Sequence, residues 1–322
     1  MDLVQVVAWV YSLVVLVFTL GFLVNWYRNR TTIAPYKRVG FGAGIIFVVF
    51  ELLTVALSPG AFFGLTSMCL TIALLGWGIL RMWGFVNSGI FFSNQLNIRS
   101  FPLIAPRLGL PPAPTPAEAS VVDSITVPSV EQTTPIADTP IEPETVPPEP
   151  INSAPIAPEP IAPPTPPAID WRRYWLNIVG VSLAAVAYSA VLFFVAQPRP
   201  GLIAQNINFS DAQIVTPLTL VIILEFAFVE ELIFRLAIQN YLGAKLIKRR
   251  YGYAAAIVIT AALWSMAHVG SLNPDWVKLA QIFPLGLALG WLYRRQGTES
   301  TIMAHALFNL IGGLVLSPLY LR

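Results

Sequence analysis

Residues 3–26, LVQVVAWVYSLVVLVFTLGFLVNW, run without a single charge. A bilayer core takes about 20 residues of helix at 1.5 Å rise each, so this stretch is long enough to cross one. In hydrocarbon every backbone N–H and C=O must find its partner inside the protein, which an α-helix achieves by itself. Similar runs follow at about 39–58 and 60–82, and apolar spacing predicts further helices at about 174–196, 214–241, 254–270, 276–293 and 300–318. The fold class is therefore all-α and polytopic, with about eight transmembrane helices. Asp2 before the first run and YRNR after it do not match a cleaved signal peptide, so that helix is expected to stay, with its N-terminus outside. The stretch GFVNSGIFFSNQLNIRSF (84–101) looks too short and too polar to span, and is expected to be an interfacial segment or a loop. Pro217 and Pro284 are expected kink sites, tolerated where a neighbour satisfies the freed carbonyl. GLALG at 286–290 has the small-xxx-small spacing of a close helix contact.

Between the third and fourth runs the character changes. Residues 102–170 hold 20 of the 28 prolines, with nine acidic residues against one basic residue, Arg107. Such a stretch cannot bury a core. Phrases such as PIEPET and PIAPEP suggest a semi-extended polyproline II tether, serving as a solvated spacer or as a docking segment for a cytoplasmic partner. Three parts follow: a three-helix membrane module (1–101), a disordered Pro-rich acidic linker (102–170) and a second membrane domain (171–322). With the N-terminus outside, the cytoplasmic loops contain YRNRTTIAPYKR, Arg81 through DWRR, KLIKRRYG and YRRQ. The outer loops contain only Arg199, Lys278 and Arg322 as cations, with Asp211 and Asp275 among them. That is the positive-inside pattern. It implies a multi-pass protein of a bacterial inner or plasma membrane, with both termini outside and the linker cytoplasmic.

Only 11% of the residues are charged and mean hydropathy is +0.68, so membrane lipid is the first partner. A net charge of +2 without a clustered basic face excludes a nucleic-acid partner. The lone Cys69 has no cysteine or histidine at metal-ligand spacing and reads as a small apolar filler.

Burying an ionisable side chain at mid-bilayer costs about 2.5–3.5 kcal/mol on insertion scales, so each one needs a partner or a purpose. Between residues 214 and 318 the apolar segments contain Glu225, Glu230, Glu231, Arg235, His268, His305 and Asn309. At about 100° per residue, Glu231 and Arg235 share a helix face at i,i+4 and can pair, while Glu230 points about 100° away. Glu225 lies about 140° around from Glu230 and is given no role. His305 and Asn309 project together from the last helix, and His268 ends a third one. A carboxylate that arginine does not neutralise, held where water is scarce, can act as a general base toward water. Two imidazoles could orient that water or donate to the oxyanion and leaving nitrogen, and the Asn309 amide could add an oxyanion donor. This set suffices for amide hydrolysis with no cofactor, no metal and no serine or cysteine nucleophile.

EELIFR, WSMAH and HALFN resemble the EExxxR, FxxxH and HxxxN motifs of the CPBP family (type II CAAX prenyl protease-like, or Abi) of intramembrane glutamic endopeptidases, over roughly residues 171–322. The resemblance implies that Glu230 activates water, that His268, His305 and Asn309 surround the water and the oxyanion, and that Glu231 and Arg235 support the site. It also implies a peptide or lipidated-protein substrate, with a prenylated C-terminus as one form. Trp264 stands where the second motif usually has Phe, a difference expected to bear on substrate fit more than on chemistry. Three other readings use the same residues. A His₂Glu zinc protease lacks HExxH, and a proton-coupled transporter lacks an inverted repeat. A non-proteolytic scaffold or regulator, of the kind associated with bacteriocin immunity, would make use of the tether. Helix registers put Glu230 about 16 Å, His305 about 8 Å and His268 about 21 Å from the cytoplasmic side, depths that meet only if helices tilt or start unevenly.

Overall fold

The apolar runs become helices because each closes its own backbone hydrogen bonds, and the structure, a computed structural model, describes residues 3–32, 34–57, 65–104, 169–201 and 217–316. The first three helices are α1 (Leu3–Arg28), α2 (Lys37–Leu57) and α3 (Leu65–Gln95). Then come α4 (Trp171–Ala196) and α5 (Pro217–Glu230), which continues as a π-helical segment (Glu231–Gln239) into α6 (Asn240–Leu246). The chain closes with α7 (Gly252–Met266), α8 (Asp275–Gln296) and α9 (Thr298–Ile311). A two-residue ribbon pairs β1 (Arg199–Pro200) antiparallel with β2 (Leu272–Asn273). Most of the proline-rich stretch (105–168), Asp211, the last six residues and the side chain of Cys69 lie outside the described residues.

Among the described residues three segments are long and apolar enough to cross a membrane: Val10–Arg28, Trp171–Ala196 and Thr298–Leu316. The all-α class holds, but length and composition do not reach eight spans. The helix α7 has only 15 residues, and α8 carries Asp275, Lys278, Arg294 and Arg295.

The stretch 84–101 is neither interfacial nor, for most of its length, a loop. Helix α3 runs through it to Gln95, and Phe85, Val86, Asn87 and Ser88 are fully buried there. Its polarity serves packing against protein rather than lipid: Ser88 Oγ donates to the Phe22 carbonyl at 3.0 Å, tying α3 to α1. Gly89 lets α3 touch the π segment, since a Cβ there would lie 2.7 Å from both Leu236 Cγ and its carbonyl oxygen. The close contact expected at GLALG is present, where a Cβ on Gly286 would meet Ala261 Cβ at 2.9 Å across the α7–α8 interface.

Pro217 opens α5, where its missing N–H is no loss. Pro284 lies inside α8, which continues through it. The carbonyl of Ala280, four residues earlier, receives the Tyr188 hydroxyl of α4 at 3.1 Å in place of the absent N–H. The described ends of the linker region are also anchored. The Leu103 and Ile104 amides both donate to Glu299 Oε1 at 3.1 Å, and the Asp170 side chain caps α4 through the Arg173 amide at 3.1 Å. These contacts bring α1–α3 and α4–α9 into one compact unit.

Candidate active site

The stretch FAFVEELIFR crosses the point where α5 becomes the π segment. A π turn widens the backbone spiral and often marks a functional position. Every residue from Glu231 to Gln239 is buried. Glu231 and Arg235 pair as their spacing predicts, Nε to Oε2 at 3.3 Å, with both side chains 0% exposed. Glu230 differs from its neighbour in being 25% exposed, so one carboxylate can be reached and the other is sealed.

Trp264 links the cluster. Its indole N–H donates to Glu230 Oε2 at 2.6 Å. The ring meets His268 edge-on at 5.3 Å and His305 at 5.1 Å, and the Arg235 guanidinium lies 4.6 Å from its centre. Phenylalanine would present an aromatic face here but could not donate. The tryptophan at this position thus also contacts the candidate base, beyond forming a wall of the cluster.

The two imidazoles are oriented by different partners. His268, in the turn after α7, places Nδ1 2.9 Å from the Trp264 carbonyl; a carbonyl only accepts, so Nδ1 holds the proton and in the neutral ring Nε2 carries the lone pair. His305, 3% exposed on α9, places Nδ1 3.0 Å from Glu231 Oε1, and its Nε2 faces Glu230 Oε2 at 4.0 Å. Glu231 thus neutralises Arg235 and also aims His305, a second role that spacing within one helix could not reveal. Asn309 lies one turn beyond His305 and is half-buried; among the described residues no hydrogen bond joins it to the cluster. The unequal depths inferred from helix registers do not keep Glu230, His268 and His305 apart, because Trp264 touches all three.

Two further polar groups lie within electrostatic reach of Glu230: Tyr11 of α1 and Lys278 of α8. The sequence pattern had placed one in a separate module and the other in an outer loop. Glu225, which had no assigned role, accepts a hydrogen bond from Thr54 Oγ1 at 3.3 Å and so joins α5 to α2. Among the described residues no three His, Cys, Asp or Glu side chains are placed to hold a metal ion. A cavity of about 420 Å³ between α4 and α8 is lined by Gly180, Tyr188, Gln281 and Pro284, and includes neither Glu230 nor either histidine.

One sequence family matches part of the chain. Residues 212–311 match the Rce1-like family of type II CAAX prenyl endopeptidases. The Rce1-like stretch contains all six candidate residues from Glu230 to Asn309, while α1–α3 and the proline-rich region lie outside it. The match agrees with the resemblance carried by the three motifs and covers residues 212–311. Neither a curated protein nor a solved structure matches it.

Proposed function

We propose that this chain is a metal-independent, glutamate-dependent membrane endopeptidase. In this reading Glu230 takes a proton from water, the resulting hydroxide attacks a peptide carbonyl, and Glu230 passes the proton to the leaving nitrogen. His305 Nε2, with its other nitrogen committed to Glu231, accepts the water's second proton in a hydrogen bond and orients the attack. His268 flanks the water from the other side, and the Asn309 amide donates to the developing oxyanion. The substrate is a membrane-associated peptide or lipidated protein, and a prenylated CAAX-type C-terminus is the form named in the family description.

The observation that supports this most is the division between adjacent carboxylates: Glu231 is sealed and paired, while Glu230 is 25% exposed beside two oriented imidazoles. The test compares cut protein termini in membranes from cells expressing wild type or Glu230→Gln. The cuts should vanish with the variant while the protein still accumulates. Identical cut patterns would refute the mechanism. A Glu230→Gln variant that rescued a knockout phenotype would favour a scaffold instead.

A further inference from the structure

The cavity between α4 and α8 takes no part in the candidate site, and its walls carry a pattern of their own. Leu176, Gly180, Ala184 and Tyr188 line it from α4, each one turn from the next, and Gln281 and Ala288 line it from α8. Leu176 is 61% exposed, and a Cβ on Gly180 would meet nothing within 4 Å, so the cavity is a groove open on the outside of the bundle. From Leu176 to Tyr188 it runs about 18 Å at 1.5 Å per residue, slightly more than half of a hydrocarbon core about 30 Å thick. Helix α4 is itself one of the segments long and apolar enough to cross a membrane.

The polar groups deep in the groove are already engaged by protein. The Tyr188 hydroxyl donates to the Ala280 carbonyl at 3.1 Å. Gln281 Nε2 donates to Ser189 Oγ at 3.1 Å, and Gln281 Oε1 accepts from the Lys278 ammonium at 3.0 Å. Asn177 is the lining polar residue without a hydrogen bond among the described residues, and it lies near the start of α4. Beyond it the walls offer nothing to a polar solute and suit a hydrocarbon chain.

Both walls change character at that same end. One turn before Leu176 and Asn177, α4 carries Arg172 and Arg173; beyond Ala288, α8 carries Trp291 and then Arg295 at the same helical steps. The two ends lie side by side, since Gln296 Nε2 donates to the Arg173 carbonyl at 3.4 Å. All three arginines are exposed, and among the described residues none forms an ion pair. The neighbouring acids are engaged elsewhere: Asp170 Oδ1 accepts from the Arg173 amide at 3.1 Å, and Glu299 Oε1 from the Leu103 and Ile104 amides. Trp171, Trp175 and Trp291 are exposed around them, with the Arg295 guanidinium 5.5 Å from the Trp291 ring. Exposed tryptophan beside arginine marks the headgroup level of a bilayer.

We propose that the α4–α8 groove holds an acyl chain of an anionic phospholipid, with the lipid phosphate at Arg172, Arg173 and Arg295. Charge decides the occupant. Cations with no protein counterion, at headgroup level, select a negatively charged lipid, and the apolar groove that runs inward from them takes its chain. A transmembrane helix would fill the groove between small residues but leave the arginines without a counterion. The lipid is a bound partner at a place separate from Glu230 and both histidines, not a substrate.

The test titrates full-length protein in a neutral detergent with phosphatidylglycerol or phosphatidylcholine of identical chains and counts bound lipids by native mass spectrometry. Phosphatidylglycerol should bind the more tightly. Its affinity should fall by roughly fivefold for each arginine removed in the variant Arg172→Gln, Arg173→Gln, Arg295→Gln. The control Lys248→Gln, Arg249→Gln, Arg250→Gln takes the same charge from an exposed turn with no groove beside it, and should bind as wild type does. Gly180→Leu puts a side chain into open space, so the helix stays intact while the groove fills, and both lipids should weaken. Glycerol phosphate, a headgroup without chains, should not displace the lipid. Equal binding of the two lipids overturns the proposal, as does an equal loss in both charge variants, which would show general attraction to a basic protein. Displacement by glycerol phosphate would assign the arginines to a free phosphate instead. If Gly180→Leu left lipid binding unchanged but dissociated an oligomer, the groove would be a helix contact and the proposal would fall.

Discussion

Replacing Arg235 by methionine removes a charge that the structure encloses completely. The guanidinium reaches Glu231 Oε2 through Nε at 3.3 Å with neither side chain exposed, and its Nη1 and Nη2 have no protein acceptor among the described residues. Its other contact is the Trp264 ring at 4.6 Å. Taking one partner from a buried ion pair costs about 3–5 kcal/mol, because the remaining charge stays desolvated. The lost cation–π contact adds up to about 2 kcal/mol, of which the methionine sulfur over the same ring recovers about 0.3–1.5 kcal/mol. A net loss of about 3–6 kcal/mol is large against a total stability of about 5–15 kcal/mol. Unfolding in mixed micelles, followed by tryptophan fluorescence, would measure it. The paired variant Glu231→Gln with Arg235→Met removes both charges and keeps an acceptor for His305 Nδ1, so it should be clearly more stable than Arg235→Met alone. A full cycle with Glu231→Gln should give a coupling of at least about 1 kcal/mol. Arg235→Met within about 0.5 kcal/mol of wild type, or a double variant no better than that single one, would refute the view that Glu231 is held in place by a buried counterion.

Two other substitutions probe the same neighbourhood. Trp264→Phe keeps the ring and removes the donor 2.6 Å from Glu230; kcat should fall about tenfold or more with the fold intact, and turnover equal to wild type would show that the bond does not position the base. Gly286→Ala puts a methyl 2.9 Å from Ala261 and 3.2 Å from the Trp264 ring, so it should lower stability by about 1–3 kcal/mol and reduce activity, checked by unfolding and peptide cleavage side by side.

Much of the site could be read from residue types and spacing. Glu231 with Arg235 at i,i+4 is a local relation, and a helix of either α or π form brings the two together. The separation of Glu230 from Arg235, the helical placement of His305 and the HxxxN spacing were likewise visible in one dimension, whereas His268, expected to end a helix, lies in the turn after α7. What spacing could not show is where separate helices meet. Trp264 was seen as a wall and is the donor to Glu230. Glu231 was seen as an arginine partner and also orients His305, which lies 74 positions away. Lys278 was expected in an outer loop, and its ammonium donates to Gln281 Oε1 within the first turns of α8.

The sequence by itself determined that the chain folds as helices suited to a membrane and that its few buried charges fall in its C-terminal half, since hydrocarbon tolerates neither open backbone nor idle ions. The continuation of α3 through 84–101 was decided only in three dimensions. Its Ser88 and Gly89 look unsuited to lipid, and they face α1 and the π segment instead. The division of labour between two adjacent glutamates was settled in the same way. Helix periodicity points them apart, but only the packing of α7 and α9 around the π segment leaves Glu230 reachable and encloses Glu231.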